Sequence, residues 1–278
     1  MTTVWINGQV MDAGQARVNA LDHGLTVGDG VFETVKVAQG EPFALTRHLR
    51  RLATSAQVLE LDCPPAAAIW SAVAELSAAA PASPLARLRI TVTGGAGPLG
   101  SDRGAAEPTL IVALAPASPW PAHIEVVTVP WRRNEHSAVI GAKTTSYAEN
   151  VVALNAAHRQ GAHEALLSNT AGRLCEGTGS NVLVVRDGRL ATPPLTSGCL
   201  AGITRGLFLE WAAADGLPVD EIDLDPADLA TADDVLLTST TRDVQQVAAV
   251  DGRPVPGSKL GQAAVELFSR RAAERSDP

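Results

Sequence analysis

The sequence predicts an α+β chain of two domains, and three observations carry that reading. Strand-like and helix-like patterns follow one another without a regular β-α alternation, which argues against a doubly wound sheet. Residues 116–121 contain Pro116, Pro119 and Pro121, and no other stretch looks so much like an interdomain linker. The chain has 278 residues, of which 46% are AVILMFWYC. That length allows two domains at roughly 150 residues each, and the apolar share is enough for a core in both. The expected division is a smaller domain over 1–115, the linker over 116–121, and a larger domain over 122–278.

Taken in order, Asn7-Gly8 suits a tight hairpin between residues 4–6 and 10–11. Residues 31–37 alternate and are rich in Val and Thr, so they read as a strand. Thr46 can cap a helix over 47–60, and Pro64-Pro65 precedes a second helix to about residue 79. Strands follow at 87–93 and 109–115, then at 124–129 beyond the linker. Residues 147–160 read as a helix with an apolar face at Val151, Val152, Leu154, Asn155 and His158. A run of hairpins fills 164–192. A helix over 202–215, strands near 218–222, 234–239 and 244–250, and a helix over 259–275 complete the chain.

Composition excludes several classes. Thirty acids against 22 bases leave a net charge of -8, with the arginines scattered, so a nucleic acid is not the expected partner. Three distant cysteines without a C-x-x-C argue against a disulfide framework or structural zinc, and fit a reducing cytoplasm. No stretch is long and apolar enough for a membrane span, and no metal-ligand spacing occurs among the six histidines. Gly95-Ala96-Gly97-Pro98-Leu99-Gly100 matches G-x-G-x-x-G, but no helical pattern follows to point its N-terminus at a pyrophosphate. Arg132-Arg133 reads as solvated surface.

Five segments carry chemistry. Lys143 is one of only three lysines, against nineteen arginines, and lies among Gly141, Ala142, Thr144, Thr145 and Ser146. Small neighbours leave room for a group on its nitrogen, and a buried amine can form a Schiff base. Glu176 stands among small residues just before an apolar strand, where a buried acid needs a cationic or hydrogen-bonding partner such as a pyridinium N–H. Gly202-Ile203-Thr204 opens a helix with free N–H groups, an anion site by helix-terminus geometry. Thr238-Ser239-Thr240-Thr241 places hydroxyls at a strand end, and Arg51 can add charge-assisted bonds to the same anion. Amine, acid, two anion-facing turns and an arginine together meet the needs of one cofactor.

With those residues in order along nearly the whole chain, and with Asn7-Gly8, residues 28–33 and 48–52 alongside them, the sequence resembles the fold-type IV (class IV) pyridoxal-phosphate enzymes. These include D-amino-acid transaminases, branched-chain aminotransferases, (R)-amine transaminases and aminodeoxychorismate lyases. The resemblance implies a two-domain fold with pyridoxal 5′-phosphate (PLP) in the interdomain cleft, and a homodimer. It implies that Lys143 joins the cofactor and shuttles the proton. Glu176 would hold the ring nitrogen. Arg51, Ile203 through its N–H, Thr204, Ser239 and Thr240 would hold the phosphate, and Leu200 would pack on the ring.

Members of the family differ in how they hold the substrate carboxylate. Where the similar D-amino-acid transaminases have a Tyr, this chain has Phe32, and its 94–101 loop lacks their Arg and His. The branched-chain signature around the same strand is also absent. Arg103 and Arg242 are the candidate carboxylate cations. The expected activity is transfer of an amino group from a D-amino acid or (R)-amine to a 2-oxo acid, pyruvate or 2-oxoglutarate. The alternative is 4-amino-4-deoxychorismate lyase chemistry, which gives 4-aminobenzoate and pyruvate. A non-catalytic binding protein on the same fold would require Lys143 to be merely structural.

Overall fold

The structure, a computed structural model, describes residues 1–278, and the chain divides into two compact units. The first comprises Met1–Pro119, Ala142–Ser146 and Asp277; the second comprises Trp120–Gly141, Tyr147–Ser276 and Pro278. The first boundary falls inside the proline-rich segment. The five residues around Lys143, however, group with the first unit and not with the rest of 122–278.

In the first unit the strands are β1 (Thr3–Ile6), β2 (Gln9–Asp12), β3 (Gly30–Ala38), β4 (Glu41–Pro42), β5 (Leu85–Thr93) and β6 (Thr109–Pro116). They form one antiparallel sheet in the order β2-β1-β6-β5-β3-β4. Asn7 and Gly8 take φ of 42° and 94°, the paired positive values of a type I′ hairpin. The helices are α1 (His23–Thr26), α2 (Leu45–Val58) and α3 (Ala66–Ala79). One sheet face, with Val35, Val37, Leu88, Ile90 and Val112, packs in one core with Leu45, Leu49 and Leu52 of α2 and Ile69, Val73 and Leu76 of α3. Each such side chain contributes about 1.5–3 kcal/mol by leaving water. The two-residue period of a strand sends Phe32, Thr34, Lys36, Arg87, Arg89 and Thr91 to the opposite face.

The second unit contains β7 (His123–Arg133), β8 (Glu164–Asn169), β9 (Leu174–Gly177), β10 (Asn181–Arg186), β11 (Arg189–Thr192), β12 (Val219–Glu221), β13 (Asp234–Ser239), β14 (Asp243–Val250) and β15 (Arg253–Pro254). The sheet runs β12-β11-β10-β13-β14-β7-β8-β9, with β15 beside β14. Its helices are α4 (Ala148–Arg159), α5 (Ile203–Ala214), α6 (Asp228–Thr231) and α7 (Lys259–Ala272). Parallel pairing of β14 with β7 and of β7 with β8 makes the sheet mixed. No helix is long and apolar enough to cross a membrane.

Two local expectations are corrected. Thr46 does not cap α2. Ala44 occupies the N-cap in a left-handed conformation, and the Thr46 N–H and hydroxyl both donate to Asp277 instead. In α4 the buried side is Asn150, Ala153, Ala156 and Ala157, while Val151 and Val152 stay about half exposed. The alanines pack in one cluster with Val127, Val129, Ala165 and Leu167. Small side chains let the helix approach its sheet closely, so size outweighs hydropathy here.

Candidate active site

In the first unit, residues 142–146 lie as a short strip against the start of β3. Phe32 N–H donates to the Lys143 carbonyl at 2.9 Å, and Thr145 N–H donates to the Gly30 carbonyl at 2.8 Å. Lys143 N–H donates to the Ser55 hydroxyl of α2 at 3.0 Å. The hydroxyls of Thr145 and Ser146 both donate to the Gly28 carbonyl. Glycine is required beneath this strip. A Cβ on Gly30 would stand 2.9 Å from the Val92 carbonyl oxygen and 3.1 Å from the Thr145 hydroxyl. Gly28 has φ +69°, and a Cβ there would meet the Ser146 hydroxyl at 2.6 Å.

The backbone of Lys143 is therefore fixed, and its Nζ lies 4.3 Å from the centre of the Phe32 ring. The Arg89 guanidinium lies 3.5 Å from the same centre. Two cations thus share one aromatic ring, a favourable contact for each. Phe32 is only 3% exposed.

On the packed side of β3, Glu33 is fully buried. It accepts from Arg51 Nε and Nη2, each at 2.7 Å, and is bonded to His48 Nδ1 at 2.6 Å. Burial alone would raise its pKa. The Arg51 charge and hydrogen bonds and the His48 ring outweigh that and hold the carboxyl down to about 2. Arg51 thus comes forward as half of a bidentate ion pair, which the sequence did not indicate.

In the second unit, Glu176 is the penultimate residue of β9 and is largely buried. Its Oε1 accepts from Arg133 Nε at 3.1 Å and its Oε2 from the Leu200 N–H at 2.9 Å. Arg133 is therefore no solvated surface residue. Asn181 Nδ2 donates to the Leu200 carbonyl at 2.8 Å, and Asn181 stands directly across from Thr238 in the β10–β13 ladder. A Cβ on Gly202 would collide with Asn181 Oδ1, so only glycine lets the start of α5 come this close. Asn181 therefore brings Leu200, Gly202 and the Thr238–Thr241 turn together. The start of α5 has no side-chain cap, and the buried hydroxyls of Thr238 and Ser180 find no partner.

The two candidate carboxylate cations are committed elsewhere. Arg103 donates to both oxygens of Asp29, at 2.5 and 2.6 Å, and to the carbonyls of Leu59 and Glu60. It staples the 94–104 loop to the Gly28-Asp29-Gly30 segment. Arg242 is 5% exposed at its side chain, donates to Glu164 and Gln245 at 2.9 Å, and stacks on Trp120. Arg89, which the sequence reading passed over, is the arginine brought beside Phe32 and Lys143.

The second unit's donor set suits the expected cofactor. An acid braced by an arginine matches a protonated ring nitrogen, while uncapped helix N–H groups and partnerless hydroxyls match a phosphate. Residues 30–250 match the family model for amino-transferase class IV. A putative branched-chain-amino-acid aminotransferase of Methanocaldococcus jannaschii is 34% identical over 95% of this chain and 93% of its own. A bifunctional aminodeoxychorismate lyase / D-amino acid transaminase of Mycobacterium tuberculosis is 29% identical, covering 95% of this chain and 96% of that protein. Among solved structures, a branched-chain aminotransferase from Thermoproteus uzoniensis, crystallised with norvaline, superposes with a TM-score of 0.92. It is 28% identical, over 98% of this chain and 95% of that one. The fold is that of the fold-type IV transaminases, and the chain belongs to the class IV aminotransferases, enzymes that use PLP.

Proposed function

We propose that this aminotransferase acts on carboxylate-bearing amino acids, passing their amino group to a 2-oxo acid. The observation that carries the reading is that the Lys143 amine and the Arg89 guanidinium both lie against the Phe32 ring. Arg89 takes the substrate carboxylate by a charge-assisted pair. Lys143 Nζ, held by its pinned backbone, takes the proton from the substrate Cα and returns it on the other side of the exchange. Phe32 closes one wall of the site and excludes water.

The residues that would hold PLP are those of the donor set. Glu176 would hold the proton on the ring nitrogen, and Leu200 would pack on the ring. The Ile203 N–H, Thr204, Ser239 and Thr240 would bind the phosphate, with Arg51, whose plane Glu33 fixes, as a further cation. Bound there, PLP supplies an aldehyde that accepts the amino group and a ring that stores an electron pair. One site drawing on Lys143 and Glu176 together is part of this proposal, and family membership supports it.

A branched-chain amino acid is the donor best supported, through the similarity to the proteins of M. jannaschii and T. uzoniensis. D-amino acid donors, and the lyase reaction, form the second reading, which the M. tuberculosis relative favours. Arg89 weakens the case for (R)-amines, which carry no carboxylate for it to bind. The test has two stages. Borohydride reduction of PLP-loaded protein, followed by peptide mapping, should place the tag on Lys143; a tag elsewhere overturns the site. The cofactor absorption is then followed with L-valine, L-leucine, D-alanine and (R)-1-phenylethylamine. Conversion by the amine alone sinks the carboxylate reading. Release of 4-aminobenzoate without a 2-oxo acid would decide for the lyase.

A homodimer is proposed as well. Leu25 and Leu99 are 70% and 80% exposed, with Leu21 and Val27 also open to solvent, an apolar set suited to a second copy. A monomer mass by light scattering at micromolar concentration counts against it.

A further inference from the structure

We propose that Arg133 is a positioning residue that holds Glu176 charged and aimed, and so determines that the cofactor ring is bound with its nitrogen protonated. The inference rests on the role given to Glu176 above. Arg133 lies near the end of β7, where the register against β8 shifts between Thr128 and Arg132 and pairs Arg133 with Asn169. Without that irregularity, alternation would carry the arginine to another place. From there its Nε reaches Glu176 Oε1 at 3.1 Å, and both terminal nitrogens stand 3.4 Å from Asn150 Oδ1. Asn150 is buried and donates in turn to the Thr178 carbonyl at 2.6 Å. The arginine, its brace and the acid's own loop thus form one connected network.

Arg133 is a countercharge in direct contact with the acid. Glu149 of α4 stands 3.8 Å from Arg133, but it is an exposed acid. The nearby thiols of Cys175 and Cys199 are neutral, because burial raises both above the usual thiol value. Leu200 offers a neutral N–H. A largely buried carboxylate without a cation becomes neutral rather than stay charged. Acid and ring nitrogen share one proton as a coupled pair. Arg133, standing behind the acid, favours the arrangement with a charged acid and a protonated ring. Its removal shifts the proton onto Glu176 and leaves the ring nitrogen bare.

The experiment uses apoprotein loaded with PLP labelled with ¹⁵N in the ring, for wild type, Arg133→Met, Arg133→Lys and Asn150→Ala. The ¹⁵N shift reads protonation directly, and PLP affinity is measured by titration of the apoprotein. Wild type should give a pyridinium-type shift that is flat from pH 6 to 9. Arg133→Met should move towards the neutral-pyridine value and bind PLP about tenfold more weakly, the scale of one charge-assisted bond. Arg133→Lys should restore part of the shift, and Asn150→Ala should give a smaller change of the same sign. An Arg133→Met shift equal to wild type overturns the proposal. So does loss of folding in all three variants, which makes the network purely structural. If wild type itself binds no PLP, or shows a neutral ring, the role of Glu176 fails first and the two failures are told apart.

Discussion

Replacing Glu33 by Gln tests the buried ion pair beneath β3. Glu33 has no solvent exposure, accepts two hydrogen bonds from Arg51 at 2.7 Å, and is bonded to His48 at 2.6 Å. Its carboxyl titrates at about 2 instead of the ordinary 4.5. That difference corresponds to roughly 3 kcal/mol of stability at neutral pH. Removing one partner also strands the Arg51 charge, and a broken buried pair typically costs about 3–5 kcal/mol. The sign follows from the lowered folded-state value. The contribution is complete above the unfolded value near 4.5 and drains away as pH falls towards 2. Glu33→Gln should therefore cost about 3 kcal/mol at pH 7, and the gap to wild type should narrow steadily below pH 4.5. Because two units need not unfold together, hydrogen exchange of the α2 amides is the suitable assay, as it reads the first unit alone. A loss below about 1 kcal/mol at pH 7, or a gap that does not narrow with acid, would refute the reasoning.

Four further outcomes are expected. Arg89→Ala should raise KM for amino acid donors by about tenfold or more, the scale of a lost charge-assisted bond. Arg103→Ala should lower thermal stability and change that KM far less; the reverse pattern restores Arg103 as the carboxylate residue. Gly30→Ala should displace the strip carrying Lys143 and cost about 1–3 kcal/mol, read as faster exchange of the Thr145 amide together with reduced turnover. Unchanged turnover means that the strip tolerates the shift. Asp277→Ala removes the acceptor for the Thr46 N–H and hydroxyl at the start of α2, and should cost about 1 kcal/mol. Unaltered exchange in the first turn of α2 counts against that role.

Much of the architecture was legible because local chemistry dictates it. Asn7-Gly8 tolerates the positive φ of its hairpin, and Pro64-Pro65 stands immediately before the helix it introduces. Lys143 stood out because lysine is rare here and its neighbours are small. What escaped depends on partners far away in sequence. Arg89 occupies an outward strand position like any surface arginine, and only its place beside Phe32 distinguishes it. Arg133 owes its partner to a change of register between β7 and β8, which no local pattern announces. Arg103 and Arg242 looked available because their partners, Asp29 and Glu164, lie 74 and 78 residues away. The inner side of α4 was misread because hydropathy favoured valine where close approach required alanine.

The five-residue strip at 142–146 also bears on modular engineering. It belongs with Met1–Pro119, yet the chain on either side of it belongs with the remainder. Severing the polypeptide at the prolines would part Gly28–Phe32 from the segment that rests on them, and Lys143 would travel with the wrong fragment. Neither piece would be self-sufficient, and swapping one half between relatives should succeed only if 142–146 is exchanged along with the amino-terminal portion.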